Sequence, residues 1–344
     1  MGIQKSNLND EKIRKILKEE YGMLPDEITE VNRGTANIFE IKTEKGNFIL
    51  KEFNEKRTVE SVEKETNIIN FLKERNINVP KYIKTVYDKF YIENEGRIII
   101  LQEFVDGYTM ENNTVEDYKR IIESATLLGK VTKELREYPE LSEENIIEKQ
   151  FSKENLQNKI VKMKKLKEEL KNDNIYKNKF EQDLDFKIKV SEELESKFDF
   201  SIIRKMTIIN GHGDYSIQQL IYNDKKETTV IDFETAKKLP IVWEVMRSYS
   251  YIDKEAKDGN LNIKTLVEYF KEFSKFIKLN EYDLKYAAHI YLIQLICSPF
   301  GYKEYNNDYS QTGLLNFAFF RTNLCQYLYE NLDEISLALS KVAK

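Results

Sequence analysis

Two short acidic triplets, His-Gly-Asp and Asp-Phe-Glu, stand near the ends of the stretch GHGDYSIQQLIYNDKKETTVIDFET, residues 211–235. Two apolar runs flank the polar turn NDKKE between them, which predicts an antiparallel strand pair. Such a pair would return Asp232 to the end at which Asp214 and Gln219 lie. Carboxylate and amide oxygens suit a hard divalent cation such as magnesium, and one acid remains to accept a proton from an alcohol. The stretch therefore predicts a site for a metal-bound phosphate.

A plainer interpretation is open for each triplet taken alone, because HGD is a common turn and DFE an ordinary strand end. The two triplets occur together, however, with strand, turn and strand between them. A motif gains meaning from the structural context that its chemistry requires. The pair at this spacing therefore favours the metal-phosphate site.

A second charged pair is predicted nearer the N-terminus. On the strand FILKEF, Lys51 shares a face with Ile49 and Phe53, and a lysine on an apolar face needs an anionic partner. On the helix that follows, Glu65 lies in the apolar stripe, whereas Glu63 shares its face with polar residues. Spacing therefore selects Glu65 as the partner of Lys51. The alternative is a lysine that extends to solvent and an unrelated surface glutamate.

The elements that must position these residues change type along the chain. Residues 9–20 predict a helix, and NIFEIKTEKGNFILKEF predicts a hairpin in which Gly46 takes a positive φ. The helix SVEKETNIINFLKER follows, and then a strand-rich stretch that ends near LQEFVDGY. From Thr114 onward most segments predict helices, apart from strands around 207–232. Residues 151–200 predict a highly charged helical pair whose charges form a solvated face.

The bulk composition limits the class of protein. A chain of 344 residues suits two domains, and 41% hydrophobic with 33% charged residues is typical of a globular protein. A net charge of -5 without a long basic block gives no support for nucleic-acid binding. No apolar run approaches the ~20 residues that span a bilayer. Cys297 and Cys325 lie in apolar runs and predict reduced, buried thiols, which favours a cytoplasmic protein.

Together, the HGD and DFE triplets and the strands between them resemble the signature of the aminoglycoside phosphotransferase and choline-kinase group, relatives of the protein kinases. The chain is also similar to the kinase-like proteins of bacterial spore coats, which share a charged helical insert before the catalytic loop. The resemblance covers nearly the whole chain, most strongly residues 30–107 and 205–250. It implies an α+β, two-lobed protein-kinase-like fold, with a β-rich nucleotide-binding lobe over 1–103 and a helical catalytic and substrate lobe over 104–344.

The resemblance also implies roles for the residues singled out above. Asp214 would be the catalytic base that orients the substrate hydroxyl. Asp232 and Gln219 would hold Mg²⁺ on the ATP phosphates, with GTP as an open alternative to ATP. Lys51 would grip the α- and β-phosphates, and Glu65 would position that lysine.

Two further segments receive nucleotide-binding roles from the resemblance. The loop NRGTANIF, which contains Gly34 and Asn37, would cover the phosphates. The segment IIILQEFVDG resembles the linker between the lobes, whose backbone contacts the adenine base. This implies base contacts at Gln102, Glu103 and Phe104.

Three positions near the predicted base need separate interpretation. His212 fits the structural histidine of the motif, and a core-packing role and a direct role are both open. Gln219 stands where the pattern has asparagine; it keeps the amide oxygen and adds one methylene, so we interpret it as a working variant, with a weakened kinase as the alternative. Glu244 follows Pro240 where the pattern has P-x-x-x-D, and is expected to brace the catalytic loop.

These residues predict an ATP-dependent kinase that phosphorylates a small-molecule hydroxyl on an aminoglycoside, another sugar or an amino alcohol. The alternative is a catalytically weak or inactive kinase-like structural protein, such as a spore-coat component. Protein kinase activity is less favoured, because A-P-E is missing and DFE replaces DFG. The acceptor and the oligomeric state are left open by the fold. Aromatic residues of the C-terminal helices could stack a sugar or hold a cationic amine, with core packing as the alternative; they include Trp243, Tyr249, Tyr251, Tyr291 and Tyr302.

Overall fold

The computed structural model describes residues 6–31, 36–139, 141, 149–224 and 227–343. The chain divides into two compact units. The first unit comprises residues 1–109 and 219–235, and the second comprises 110–218 and 236–344.

The first unit is built on an antiparallel sheet, six-stranded within the described residues, in the order β1-β2-β3-β6-β4 with β5 paired to β6. Gly46 has a φ of 125° at the turn between the second and third strands, as the sequence predicts for this hairpin. The strands are β1 (Pro25–Val31), β2 (Asn37–Thr43), β3 (Gly46–Glu52), β4 (Tyr82–Ile83), β5 (Ile92–Asn94) and β6 (Arg97–Glu103).

Two helices accompany this sheet, α1 (Asp10–Tyr21) and α2 (Val59–Glu74). Each begins at a side-chain cap. The Asn9 side chain accepts from the Lys12 N–H, and Thr58 forms a capping box with Ser61. The inner faces of α1, β2 and β3 share one hydrophobic core. The sequence does not predict the strand β1, because most of its residues are exposed and its charged residues hide the alternation of a strand.

A short hairpin returns to the first unit from later in the chain. It pairs β8 (Leu220–Tyr222) with β9 (Thr228–Val230) in the antiparallel register that the sequence predicts. Asn78 accepts from the Val230 N–H at 3.0 Å and donates to the Thr229 hydroxyl at 2.7 Å. Tyr108 and Tyr222 exchange two backbone hydrogen bonds of 2.9 Å. These bonds explain why residues 219–235 group with the first unit, although the sequence assigned them to the lobe 104–344.

The second unit is mainly helical and contains a two-stranded ribbon, β7 (Ile208–Gly211) with β10 (Lys237–Pro240). The sequence did not predict β10, whose two lysines and proline conceal a strand. The described helices are α3 (Tyr118–Arg136), α4 (Lys153–Glu168), α5 (Lys177–Lys197), α6 (Ile241–Ile252), α7 (Ile263–Ser274), α8 (Glu281–Ile296), α9 (Tyr302–Asn307), α10 (Thr312–Glu330) and α11 (Leu332–Leu339).

The helix expected from Thr114 begins four residues later. The Thr114 hydroxyl donates to the Glu111 carbonyl at 2.8 Å, while the Asp117 side chain caps the first turn by accepting from the Lys119 N–H at 2.9 Å. A threonine hydroxyl bonded back to the loop thus delays the helix to the next available cap.

The charged insert forms the predicted helical pair α4 and α5. Exposed ion pairs cross between the two helices, including Lys164–Glu192 at 2.8 Å and Lys167–Asp185 at 2.6 Å. Pairs of this kind contribute about 0–1 kcal/mol each, so the charges form a solvated face as predicted. Both cysteines are free and buried, also as predicted. Among the helices that the structure describes, none has the length and apolarity needed to cross a membrane.

Candidate active site

The glycines of the HGD loop make room for a carboxylate from α6. Glu244 accepts from the backbone N–H groups of His212 at 3.0 Å and Gly213 at 2.5 Å. A Cβ on Gly211 would overlap that carboxylate, and Gly213 has a φ of 82°, a conformation that favours glycine. Burial raises the pKa of Glu244, while the His212 side chain and the two N–H groups lower it. The structure therefore places Glu244 against the loop, and its bracing role stays a prediction.

Asp214 is held by an arginine that the sequence analysis missed. The Asp214 carboxylate is 38% exposed and forms an ion pair with Arg247, whose side chain is 16% exposed. Arg247 also donates to the Tyr215 carbonyl at 2.9 Å and lies over the Tyr251 ring at 4.7 Å. Burial lowers the pKa of Arg247, but the Asp214 carboxylate and nearby phenols raise it overall. The guanidinium is thus a fixed cation beside the predicted base.

The spacing of α6 contains a signal for this arginine. Glu244, Arg247 and Tyr251 lie at positions i, i+3 and i+7, which share one face of a helix. Because Glu244 faces the HGD loop, the next residue along that face is placed to reach Asp214. The pattern P-x-x-x-E-x-x-R would therefore have identified Arg247.

The predicted histidine lies in the core of the second unit. The His212 ring is fully buried and meets the Tyr215 ring edge-on at 5.8 Å and 83°. This packing favours the structural role over the direct one. A direct role stays a hypothesis.

In the first unit, Glu65 lies in the buried stripe of α2 and Glu63 is exposed, the distinction that spacing predicts. Glu65 is 4% exposed and pairs with Arg57 at 2.5 Å, and Arg57 also lies 3.0 Å from Glu234. Lys51 acts on Glu65 electrostatically, but among the described residues the ion pair within 4.0 Å belongs to Arg57. Burial raises the pKa of Glu65, which the charges of Lys51 and Arg57 oppose. Arg57, from the turn after β3, is the second functional candidate that the sequence analysis missed.

Gln219 and Asp232 lie on either side of the open end of the hairpin. The Gln219 carbonyl accepts from the Ile231 N–H at 3.0 Å, so the residues on either side of the strand pair meet. Asp232 is exposed and has a φ of 70°, in the left-handed region. Non-glycine residues there carry about 1–3 kcal/mol of strain and concentrate at functional sites. Asp88 and three other described non-glycine residues also have a positive φ, so it is the place of Asp232 after the strand pair, and not its φ alone, that makes it a functional candidate.

These two side chains offer hard oxygen donors that fit magnesium. Within the residues that the structure describes, no group of three or more His, Cys, Asp and Glu side chains is placed to hold a metal. Magnesium commonly takes one or two protein ligands and completes its octahedron with phosphate oxygens and waters. Asp232 and Gln219 therefore fit a metal that arrives with a nucleotide.

The predicted phosphate loop is described only in part. Gly34 lies outside the described residues. The Asn37 amide donates to the Glu52 carboxylate at 2.8 Å, and Glu52 forms a buried ion pair with Arg97 at 2.9 Å. The Asn37 side chain is thus tied into a network within the first unit.

The segment predicted to contact adenine has hydrogen bonds of its own. Gln102 is buried in β6. The N–H groups of Glu103 and Phe104 donate to the carbonyls of Lys81 at 2.9 Å and Asn47 at 3.3 Å. Hydrogen bonding of a base by these two N–H groups would therefore require an exchange of partners. A cavity of about 490 Å³ beside the segment has residues 103–108, Asn223, Asp224, Glu227 and Thr229 among those that line it, but neither Lys51 nor Asp232, so it lies apart from the predicted phosphate-binding residues.

A family model described as the phosphotransferase enzyme family matches residues 27–271. That span includes the sheet of the first unit, the HGD loop and α6. No curated protein matches the sequence.

Solved structures resemble the chain over nearly its whole length. The amicoumacin kinase hAmiN, in complex with AMP-PNP, Ca²⁺ and Ami, has 13% identity and a TM-score of 0.63, with 93% of this chain and 94% of that chain covered. Spectinomycin phosphotransferase, in complex with ADP and spectinomycin, has 17% identity and a TM-score of 0.60 over 98% and 100%. The choline kinase of Cryptosporidium parvum Iowa II has 14% identity and a TM-score of 0.60 over 97% and 99%.

At these identities the likeness shows the fold, which confirms the predicted α+β kinase-like class. The predicted likeness to spore-coat proteins stays a prediction. The family match extends over well more than half of the chain and carries the assignment. The chain belongs to the phosphotransferase enzyme family.

Proposed function

We propose that the chain is an ATP-dependent kinase that transfers the γ-phosphate to a hydroxyl of a small molecule. The observation that supports this most strongly is the setting of Asp214, whose carboxylate is partly exposed while Glu244 holds its loop and Arg247 holds its side chain. A carboxylate fixed in this way suits the orientation of an incoming hydroxyl. Nucleotides and small-molecule acceptors in the structures of related kinases support the same conclusion.

In the proposed reaction, the acceptor oxygen forms a bond to the γ-phosphorus as the bond to the bridging oxygen of ADP breaks. Asp214 orients the hydroxyl and takes its proton late in the transfer. Lys51 would bind the α- and β-phosphates, with Glu65 and Arg57 setting the charge around it. Mg²⁺ would neutralise phosphate charge when bound, and Asp232 and Gln219 would hold it.

Thermal unfolding with and without nucleotide tests the proposal. ATP with Mg²⁺ is expected to raise the melting temperature. At a ligand concentration 100 times Kd, binding adds about 2.7 kcal/mol to the free energy of unfolding. ATP without Mg²⁺ should stabilise the protein less, because the phosphate charge is then not neutralised. GTP in the same assay decides the nucleotide preference. No stabilisation by either nucleotide would contradict the proposed function.

A catalytically weak, kinase-like structural protein is a second candidate, favoured only by Gln219 in the place of asparagine. The longer side chain could hold its oxygen away from the metal. This candidate would be favoured if the protein binds nucleotide tightly in the presence of Mg²⁺ but releases no ADP with any of the hydroxyl compounds tested as acceptors.

Arg247→Met is expected to lower kcat about tenfold to 100-fold, because a charge-assisted hydrogen bond of about 1.5–3 kcal/mol to Asp214 is lost. Arg247→Lys keeps the charge but cannot contact both Asp214 and the Tyr215 carbonyl in the same way, so its kcat should be intermediate. Stabilisation by nucleotide should stay unchanged in both variants. Steady-state kinetics with melting temperatures check this, and a wild-type kcat in Arg247→Met would exclude the positioning role.

A further inference from the structure

Arg321 of α10 is buried without a carboxylate partner. It is 9% exposed, its Nη1 donates to the Ser298 hydroxyl at 3.3 Å, and its buried Nε has no hydrogen-bond partner. Over the described part of the chain, no carboxylate lies within ion-pair distance of it. Buried guanidinium groups are normally paired, because an uncompensated charge is costly to desolvate. Arg321 is therefore a candidate to bind an anion.

A second buried basic residue, Lys187, lies nearby, and among the described residues it too has no ion pair with a carboxylate. Lys187 donates to the Leu295 carbonyl at 3.3 Å, and both burial and the charge of Arg321 lower the pKa of its ammonium group. Asp183, the carboxylate that acts electrostatically on Lys187, already accepts from Lys179 at 2.5 Å and from the Tyr302 hydroxyl at 2.7 Å. Asp183 is therefore committed to other partners and does not neutralise Arg321.

A row of side chains connects Arg321 with the predicted base. The Arg321 guanidinium lies 5.5 Å from the Phe317 ring, which stacks on Tyr251 at 6.2 Å. At the other end of the row, Arg247 lies 4.7 Å from the centre of the Tyr251 ring and forms an ion pair with Asp214. All five residues belong to the second unit. The row therefore runs from one guanidinium to the other across aromatic rings.

Three partly exposed rings, one from this row and two beside it, form an apolar surface. Phe320 packs on Tyr251 at 5.8 Å, and Phe300 meets Phe317 edge-on at 6.2 Å. Phe300, Phe317 and Phe320 are each half-buried. A cationic amine would normally bind such rings by cation–π contact, but the protein's own guanidinium groups already take that position on Tyr251 and Phe317.

We propose that the phosphate acceptor is an anionic hydroxyl compound whose carboxylate or phosphate group binds Arg321. Its apolar part would lie on Phe300, Phe317 and Phe320, and its hydroxyl would reach Asp214, so this inference rests on the proposed function. The anionic group takes no part in the transfer, in which the hydroxyl oxygen gains the phosphoryl group and its proton passes to Asp214. A polycationic aminoglycoside would be repelled by Arg247 and Arg321. Residues 281–344, which carry Arg321 and the three phenylalanines, lie beyond the family match at 27–271.

Matched acceptors that differ in charge test this proposal. Because the row of rings between Arg321 and Arg247 is longer than a small sugar, the acceptors are linear ten-carbon compounds: decanediol, hydroxydecanoate, aminodecanol and hydroxydecyl phosphate, each with its hydroxyl and its second group at opposite ends. ADP release by the wild-type enzyme should favour the acids over their neutral and cationic counterparts by about tenfold or more in kcat/KM, the scale of one charge-assisted hydrogen bond. Comparison of carboxylate with phosphate acceptors identifies the anion.

Two variants connect the preference with Arg321. Arg321→Gln should remove the preference for acids, mainly through a higher KM, and Arg321→Lys should restore part of it. A neutral or cationic preference in the wild type, or an acid preference that persists in Arg321→Gln, would overturn the proposal. The wild-type comparison decides this point even if Arg321→Gln does not fold.

Calorimetric titration of the wild type with the same compounds separates the two levels of inference. Acids that bind more tightly than their neutral counterparts, without ADP release, would keep the anion site and contradict the kinase activity. Magnesium-dependent ADP release with a neutral or cationic acceptor, without tighter binding of the acids than of their neutral counterparts, would support the kinase activity and contradict the anion site.

Discussion

Asp214→Asn should lower the turnover of the acceptor by roughly 10²-fold or more, the scale expected when a general base is lost. Asparagine preserves the size of the side chain and one oxygen that can accept from Arg247, but it cannot take the hydroxyl proton. Nucleotide affinity should stay within a few-fold of the wild type, since Asp214 belongs to the acceptor chemistry. Single-turnover kinetics with an identified acceptor, beside nucleotide titration, measure the two effects separately.

Asp185→Asn is a suitable control for this substitution. Asp185 is an exposed aspartate of α5 that forms an ion pair with Lys167, and the loss of such a pair costs only about 0–1 kcal/mol. The control should therefore turn over at the wild-type rate. If Asp214→Asn also does so, Asp214 is not the base, and the non-catalytic alternative becomes the better description of the chain.

Hydrophobic periodicity along the sequence was sufficient to predict those parts of the fold that depend on which face of a strand or helix is buried. The β2–β3 and β8–β9 hairpins alternate around polar turns, and both form in the expected register. Glu65 was separated from Glu63 by the stripe of α2 alone, and the structure buries the first and exposes the second. Each of these features depends on the spacing of residues within one strand or helix, so it can be predicted from the sequence alone.

Features that depend on distant partners were not predictable in the same way. The strand β1 is recognisable only from its pairing with β2, since its own residues are mostly exposed. Arg57 finds its acid across a turn and a helix, and no local pattern of apolar residues marks a basic residue that is fixed by an ion pair. Arg247 is a partial exception, because it shares a face of α6 with Glu244. The grouping of residues 219–235 with the first unit likewise follows from bonds of Asn78 and Tyr108 that span more than a hundred residues.

Asp232→Ala is expected to abolish the magnesium-dependent part of the stabilisation by nucleotide. The substitution removes the predicted carboxylate ligand, and a hard cation with few protein ligands loses much of its affinity with one of them. Gln219→Ala should weaken the same response to a smaller extent, because it removes a neutral oxygen. Melting temperatures measured with ATP, with and without Mg²⁺, show the size of each loss.

The backbone at Asp232 offers a way to separate metal binding from stability. Its φ of 70° is strained for alanine, so Asp232→Ala should also unfold slightly more easily without ligand, whereas Asp232→Gly relieves the strain and still lacks the carboxylate. Asp88 is a matched control, since it is an exposed aspartate of the first unit with a φ of 63°. Asp88→Ala carries the same backbone cost and should keep the full magnesium response. Asp232→Gly should be at least as stable as the wild type without ligand and yet respond to ATP equally with and without Mg²⁺. If both Asp232 variants keep the wild-type magnesium response, other residues hold the metal. Backbone strain cannot account for that result, because the glycine variant lacks the strain.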